Sequence, residues 1–341
     1  MWSRSPFLHG AMAAAHGLAV FAVVACVILP VPPPTQAQQA SAPTNRIVKV
    51  GILTAAWSPW QPYTTGFRVG LKELGYVEGT NIVFLPRAAQ GDLTRMEELA
   101  RELVQEKPDL LYCDTPAICQ RATTSTPIVF THVSDPVRLG VVKSLARPGG
   151  NVTGLAELGA ELTAKRLELF KDIVPSLRRV LVTYDPGVPE EKQAVVIART
   201  AASRLGLTIL ERPVTAALEM EPGLAKLTDG GVDGILIVQS APGLNIPGRS
   251  LEFATLNRVP TMYHLSIWAE WGALASYGPD PYAQGRQLAR LAHRILTGTP
   301  AGELPVELPD RVELIVNVKT AKRLGLAIAP SVLVRAHRVI E

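Results

Sequence analysis

Cysteine is scarce: 341 residues hold three, at positions 26, 113 and 119. That excludes a disulfide-stapled scaffold, and the spacing fits no zinc pattern. Six histidines are scattered rather than grouped as metal ligands. Charge of one sign is also missing. Lys and Arg number 34 against 30 Asp and Glu, for a net +4, with no basic block. A basic stripe for nucleic acid is therefore not indicated. Catalytic signatures are absent too: no G-x-S-x-G, no G-x-G-x-x-G after a strand, no G-x-x-x-x-G-K-[ST] and no H-E-x-x-H. The chain thus carries no motif for a serine hydrolase, a dinucleotide or nucleotide cofactor, or a zinc protease.

What is present is globular. Apolar residues make up 47% and charged residues 19% of a chain long enough for two domains. The N-terminus stands apart. Ala11 to Leu29 is apolar except for His16, and Pro30, Pro32, Pro33 and Pro34 follow, then Thr35, Gln36 and Ala37. Residues 1–37 read as an export leader cleaved after Ala37, the outcome being a periplasmic protein. A membrane anchor is the alternative for a run of this length. Val23-Val24-Ala25-Cys26 also offers a lipoprotein-type cleavage box at Cys26. Of the remaining cysteines, Cys113 and Cys119 fit either a short bridge or two buried thiols.

Beyond the leader, strand and helix alternate. Val48–Leu53 is a short apolar run, and Phe67, Leu71 and Leu74 recur at helical spacing until Gly75. Ile82–Leu85 predicts a strand, Met96–Val104 a helix, Leu110–Cys113 and Pro127–Phe130 further strands. The order then recurs: strand Arg179–Val182, helix Lys192–Leu205 stopped by Gly206, strand Thr208–Glu211, helix Leu218–Leu227, strands Ile235–Val238 and Val259–Tyr263. Such units predict an α/β fold of two similar doubly wound parallel-sheet lobes. Between them lies Ala146-Arg-Pro-Gly-Gly-Asn-Val-Thr-Gly-Leu155, flanked by helix-like Val137–Leu145 and Glu161–Val174. Pro148 to Thr153 reads as the segment that crosses from one lobe to the other.

Open parallel sheets bind ligands beyond the carboxyl ends of their strands. Apart from Trp2, tryptophan occurs only at 57, 60, 268 and 271, all in such loops, and Tyr63 and Tyr263 lie beside them. Trp57, Trp60, Tyr63, Tyr263 and Trp268 are accordingly candidates to stack on a ligand. The acidic candidates are Asp114, Asp135, Asp185 and Glu270, of which Asp135 or Glu270 would pair a ligand amine. Thr115, Ser134 and Ser240 add hydroxyls. Thr115 and Ser134 are also ordinary N-caps, and helix starts after residues 115 and 135 would present N–H groups to a carboxylate. His132, Ser134 and Asp135 have the side-chain types of a hydrolase triad, but neighbours in sequence do not make triad geometry.

A set of ordered stretches resembles the substrate-binding proteins of a family of bacterial ABC importers. These are Gly70-Leu-Lys-Glu-Leu-Gly-Tyr-Val-Glu-Gly-Thr-Asn81, Thr126-Pro-Ile-Val-Phe130, Asp135-Pro-Val137, Leu145 through Leu155, Ala164-Lys-Arg-Leu-Glu-Leu169, Ser276-Tyr-Gly-Pro-Asp280 and Asn317 through Leu326. The resemblance runs from Arg46 to Glu341. It implies a type I periplasmic-binding-protein fold with three crossovers, an interlobe cleft and no catalysis. Lobe 1 would comprise 46–150 plus about 276–300, and lobe 2 would comprise 154–272 plus about 308–341. It also implies a monomer, a small-molecule ligand, no cofactor and an inner-membrane permease as partner. Characterised relatives bind aromatic amino acids. This chain departs from the usual pattern at Trp57 and Trp60, at Asp114-Thr-Pro116 in place of Gly-Thr-Pro, and at Ser240-Ala-Pro242 where Asp often follows Ser. Two other readings use the same residues: a secreted α/β hydrolase, and a ligand sensor for a membrane receptor.

Overall fold

A computed structural model describes residues 46–56, 58–157, 159–214, 231–238 and 246–341. The predicted leader with Cys26 and Ala37, the predicted helix Leu218–Leu227, and the candidates Trp57 and Ser240 lie outside the described residues.

The first sheet holds five parallel strands in the order β2-β1-β3-β4-β5. They are β1 (Val48–Thr54), β2 (Ile82–Ala88), β3 (Leu110–Cys113), β4 (Ile128–Val133) and β5 (Val152–Ala156). Helix α1 (Pro62–Glu73) covers one face, and α2 (Leu93–Gln105) and α3 (Pro116–Ala122) cover the other. Asp92 caps α2 by accepting from the backbone N–H of Thr94 and Arg95 at 2.9 and 3.0 Å. Met96, Leu99, Ala100 and Leu103 form its buried stripe.

The second sheet runs β12-β11-β10-β9-β8-β6-β7. Its strands are β6 (Arg179–Tyr184), β7 (Thr208–Pro213), β8 (Gly234–Ile237), β9 (Thr261–Tyr263), β10 (Ala275–Pro279), β11 (Val312–Asn317) and β12 (Arg338–Ile340). All pairings are parallel except β10 with β11. Helices α4 (Thr163–Ile173) and α5 (Pro189–Leu205) pack on one face, joined by α9 (Val318–Leu324) and α10 (Pro330–Arg335). Helix α6 (Ile246–Asn257) and the short α7 (Ile267–Glu270) lie on the other. Gly206 closes α5 at φ +64°, as its place at the helix end predicts.

The predicted crossing at 148–153 is corrected. β5 pairs with β4 through Ile128–Val152, Val129–Thr153 and Phe130–Gly154, so the chain is still in the first sheet there. The stretch 137–145 predicted as helix is a series of turns. Pro136 and Pro148 explain this: the Pro136 carbonyl accepts from Val141 and Val142, and the Pro148 carbonyl accepts from Lys143. The chain leaves the first sheet only after Ala156. It returns after β10, where α8 (Pro281–Leu296) packs on α1, and crosses a third time between Glu307 and Val312. By sheet membership, then, 152–156 belongs with the first lobe and 275–279 with the second.

Among the described residues no helix is long and apolar enough to cross a membrane.

Candidate functional site

The carboxyl ends of β1, β3, β4 and β5 carry a connected polar group. β3 delivers Asp114, whose two oxygens accept from the Ala55 N–H beyond β1 at 3.1 and 3.0 Å. Thr115 Oγ1 donates to the same carboxylate at 3.2 Å. Tyr112 and Thr131, fully buried on β3 and β4, share a hydroxyl–hydroxyl bond of 2.8 Å. Cys113 and Cys119 form a disulfide, which ties the start of α3 to β3 around Asp114 and Thr115. The sequence had left bridge and free thiols open.

Two residues missed by the sequence reading complete the group. Glu157, buried just past β5, accepts from Tyr63 Oη of α1 at 2.8 Å. Burial first, then the negative charge of Glu157, pushes the Tyr63 phenol well above its ordinary range, so it stays a donor. Burial likewise raises Tyr112, with Asp114 and Glu157 both adding to the effect. Arg166 is fully buried on α4. Its guanidinium donates to the carbonyls of Gly159 at 2.6 Å, Tyr277 at 2.8 Å and His264 at 3.4 Å. Burial pulls its pKa down to about 10, opposed by Glu157, so it stays charged at neutral pH. The group thus joins two carboxylates, two phenols and a tethered guanidinium along the first crossover.

The other candidates divide. Ser134 and Asp135 follow β4 and are half-buried, but no helix begins after Asp135, so no helix N-terminus is offered there. Instead Asp135 Oδ1 accepts from the Arg138 N–H at 2.9 Å. The Arg138 guanidinium pairs with Glu190 at the start of α5, which bridges the two lobes. Asp185, after β6, accepts from Gly187 N–H at 2.7 Å, while its own N–H donates to Glu191 at 2.6 Å. Helix α3 spans seven residues and carries Thr115 as its N-cap.

The aromatic candidates are mostly elsewhere. Trp60 lies under the Arg68 guanidinium, 4.1 Å from the ring centroid, and edge-on to Phe84. That is packing between α1 and β2. Tyr263 is buried on β9 and stacks on Trp268 at 5.0 Å, and Trp268 meets Trp271 edge to face. Both indoles line a surface groove against α6. Glu270 is exposed and pairs with Arg338 of β12, so it is not placed to meet a ligand amine. Trp60 and Trp268 thus make their ring contacts within single lobes.

The Arg138–Glu190 pair gives a first testable effect. Arg138 is exposed and Glu190 is half-buried, and ion pairs at the surface contribute about 1 kcal/mol. Arg138→Ala should therefore shift the lobes toward the open form and weaken ligand binding by no more than about fivefold. The charge-swapped Arg138→Glu/Glu190→Arg protein should recover most of that. Scattering profiles of the three proteins, without ligand, would be compared; identical profiles would mean the pair does not hold the lobes.

Two parallel-sheet lobes joined by three crossovers, with polar groups gathered at strand carboxyl ends, define a type I periplasmic binding fold. The chain belongs to the ABC transporter substrate-binding protein family, whose model matches residues 60–340. It is 31% identical over 270 residues to a tyrosine-binding protein of Clostridioides difficile (strain R20291), covering 76% of each chain. A solved conserved domain protein from Vibrio cholerae aligns with a TM-score of 0.78 and 30% identity, covering 86% of this chain and 100% of that one. A Streptococcus pneumonia protein solved in complex with L-Trp aligns at TM-score 0.77 and 24% identity, with 86% and 100% covered.

Proposed function

We propose that this protein is the exported solute-binding component of an ABC importer and takes an aromatic amino acid between its lobes. One observation supports the ligand class most directly. Asp114 and Glu157 put two carboxylates at the edge of the first sheet, while the one guanidinium in the group is already tied to three carbonyls. That edge favours an ammonium. The tyrosine-binding relative agrees with it. Closure over the ligand would then present the loaded form to a membrane permease. The act is binding, with no bond made or broken, and a monomer suffices for it.

Titration calorimetry against the twenty common amino acids and a set of sugars tests this. Tyrosine, tryptophan or phenylalanine is expected to bind, and at 100 times its dissociation constant to stabilise the fold by about 2.7 kcal/mol. Asp114→Asn should weaken that binding about 10- to 100-fold, the range for a hydrogen bond to a charged group. Binding of a neutral sugar and of no amino acid would overturn the ligand class. Chemical conversion of the ligand would overturn the binding role itself.

A further inference from the structure

We propose that the second lobe carries a separate oxyanion site, of the phosphate class, far along the chain from the group at Asp114 and Glu157. The proposal does not rest on the amino-acid reading. A cavity of about 340 Å³ is lined by Thr255, Arg258, Thr261, Gly272, Thr320 and Arg323, closed by apolar side chains that include Leu251 and Leu324. No carboxylate is among its lining residues. Among the described residues neither Arg258 nor Arg323 makes an ion pair, whereas Arg199, Arg335 and Arg338 of the same lobe do. Both arginines are exposed and line one space, so an anion there can take a forked pair of N–H donors from each.

The arginines are held for that task. Thr320 Oγ1 spends its hydrogen on the Gly272 carbonyl at 3.0 Å. Its lone pair then accepts from Arg323 Nη2 at 2.8 Å, leaving the other guanidinium N–H groups for a ligand. Arg258 stands just past α6 with φ +54°, a position where glycine is usual. The Val259 N–H closes the helix onto Ala254 at 2.9 Å. A helix end by itself accounts for a cation near its last turn. It accounts for Arg258 at α6 and for Arg323 at α9 separately. It does not account for both lining one cavity without a counter-charge. The anion supplies that.

Inorganic phosphate is the probe. The full-length protein, labelled with ¹⁵N, would be titrated at constant ionic strength. Saturable shifts are expected at the amides of Gly272, Thr320 and Arg323, and the affinity should fall at least tenfold in Arg258→Gln/Arg323→Gln. The single variant Arg258→Gln should be intermediate, and its unchanged spectrum elsewhere will show that the fold is kept. Shifts that grow linearly without saturation, or that persist unchanged in the double variant, would overturn the proposal. Phosphatidylglycerol vesicles are the second arm. A site for free phosphate predicts a response to the ion without co-sedimentation, so vesicle binding without a phosphate response would also overturn it. Failure of amino-acid binding would leave these readouts untouched.

Discussion

Gly285→Ala should lower stability by about 3 kcal/mol, even though alanine is the better helix former by about 1 kcal/mol. The reason lies where α8 crosses α1. A Cβ on Gly285 would stand 2.0 Å from the Tyr63 carbonyl oxygen and 2.6 Å from the Phe67 nitrogen. A Cβ on Gly66 would stand 2.0 Å from the Tyr282 carbonyl oxygen. These are backbone atoms of the facing helix, so no side chain can turn aside. The helices must separate, which loosens the buried cluster of Phe67, Leu71, Leu288 and Ala292. Urea unfolding would show a lower midpoint. A higher midpoint, as propensity alone predicts, would mean that the helices do not approach this closely. The effect reaches function, because α8 starts at the second crossover, where Asp280 caps it by accepting from Tyr282 N–H at 2.7 Å. Helix α1 carries Tyr63, whose hydroxyl meets Glu157. Ligand affinity should fall along with stability.

Most of the strands and the two-lobe plan are legible in the sequence, because buried parallel strands are short apolar runs and helices end at glycine or proline. Leu110–Cys113 is found as predicted, and β6, β7 and α5 differ from expectation only at their ends. The Pro-Gly-Gly-Asn break was misread because its chemistry is that of any tight turn. Gly149 and Gly150 do take positive φ, at +70° and +65°. Here they feed β5, and Asn151 fixes the turn by donating to the carbonyls of Thr123 and Thr126 at 3.2 and 2.7 Å. The ring contacts of the tryptophans are not legible in the sequence for a different reason. A loop position says which end of a sheet a residue is near, but not which way its ring lies. Arg68 claims Trp60 and Tyr263 claims Trp268 from nearby in the chain, but each contact joins a helix to a residue before that helix begins, where neither the helical nor the strand period applies. Arg166 did leave a signal. The buried residues of α4 are Thr163, Arg166, Leu167, Leu169, Phe170 and Ile173, which places an arginine at an apolar position of the helical period. A cation there has to find several acceptors.

That arginine carries the largest expected effect. Arg166→Met should cost about 3–5 kcal/mol, the range for removing one partner of a buried charge arrangement. Methionine fills much of the volume, so the loss is polar rather than steric. Three carbonyls lose their donor: Gly159 on the first crossover, Tyr277 just before the second, and His264 after β9. Glu157 loses a nearby positive charge while staying buried. Arg166→Lys should rescue only in part, since an ammonium cannot reach three carbonyls in the plane of a guanidinium fork. The decisive comparison is with Glu157→Gln. If the two charges oppose each other across the crossover, Arg166→Met/Glu157→Gln should lose less stability than the sum of the single variants. The carboxylate that loses this counter-charge in Arg166→Met is then neutral. Strict additivity in urea unfolding would mean that Arg166 serves only the carbonyls. The crossover would then be stapled by hydrogen bonds alone, and the carboxylate of Glu157 would be left for Tyr63 and for the ammonium of a ligand.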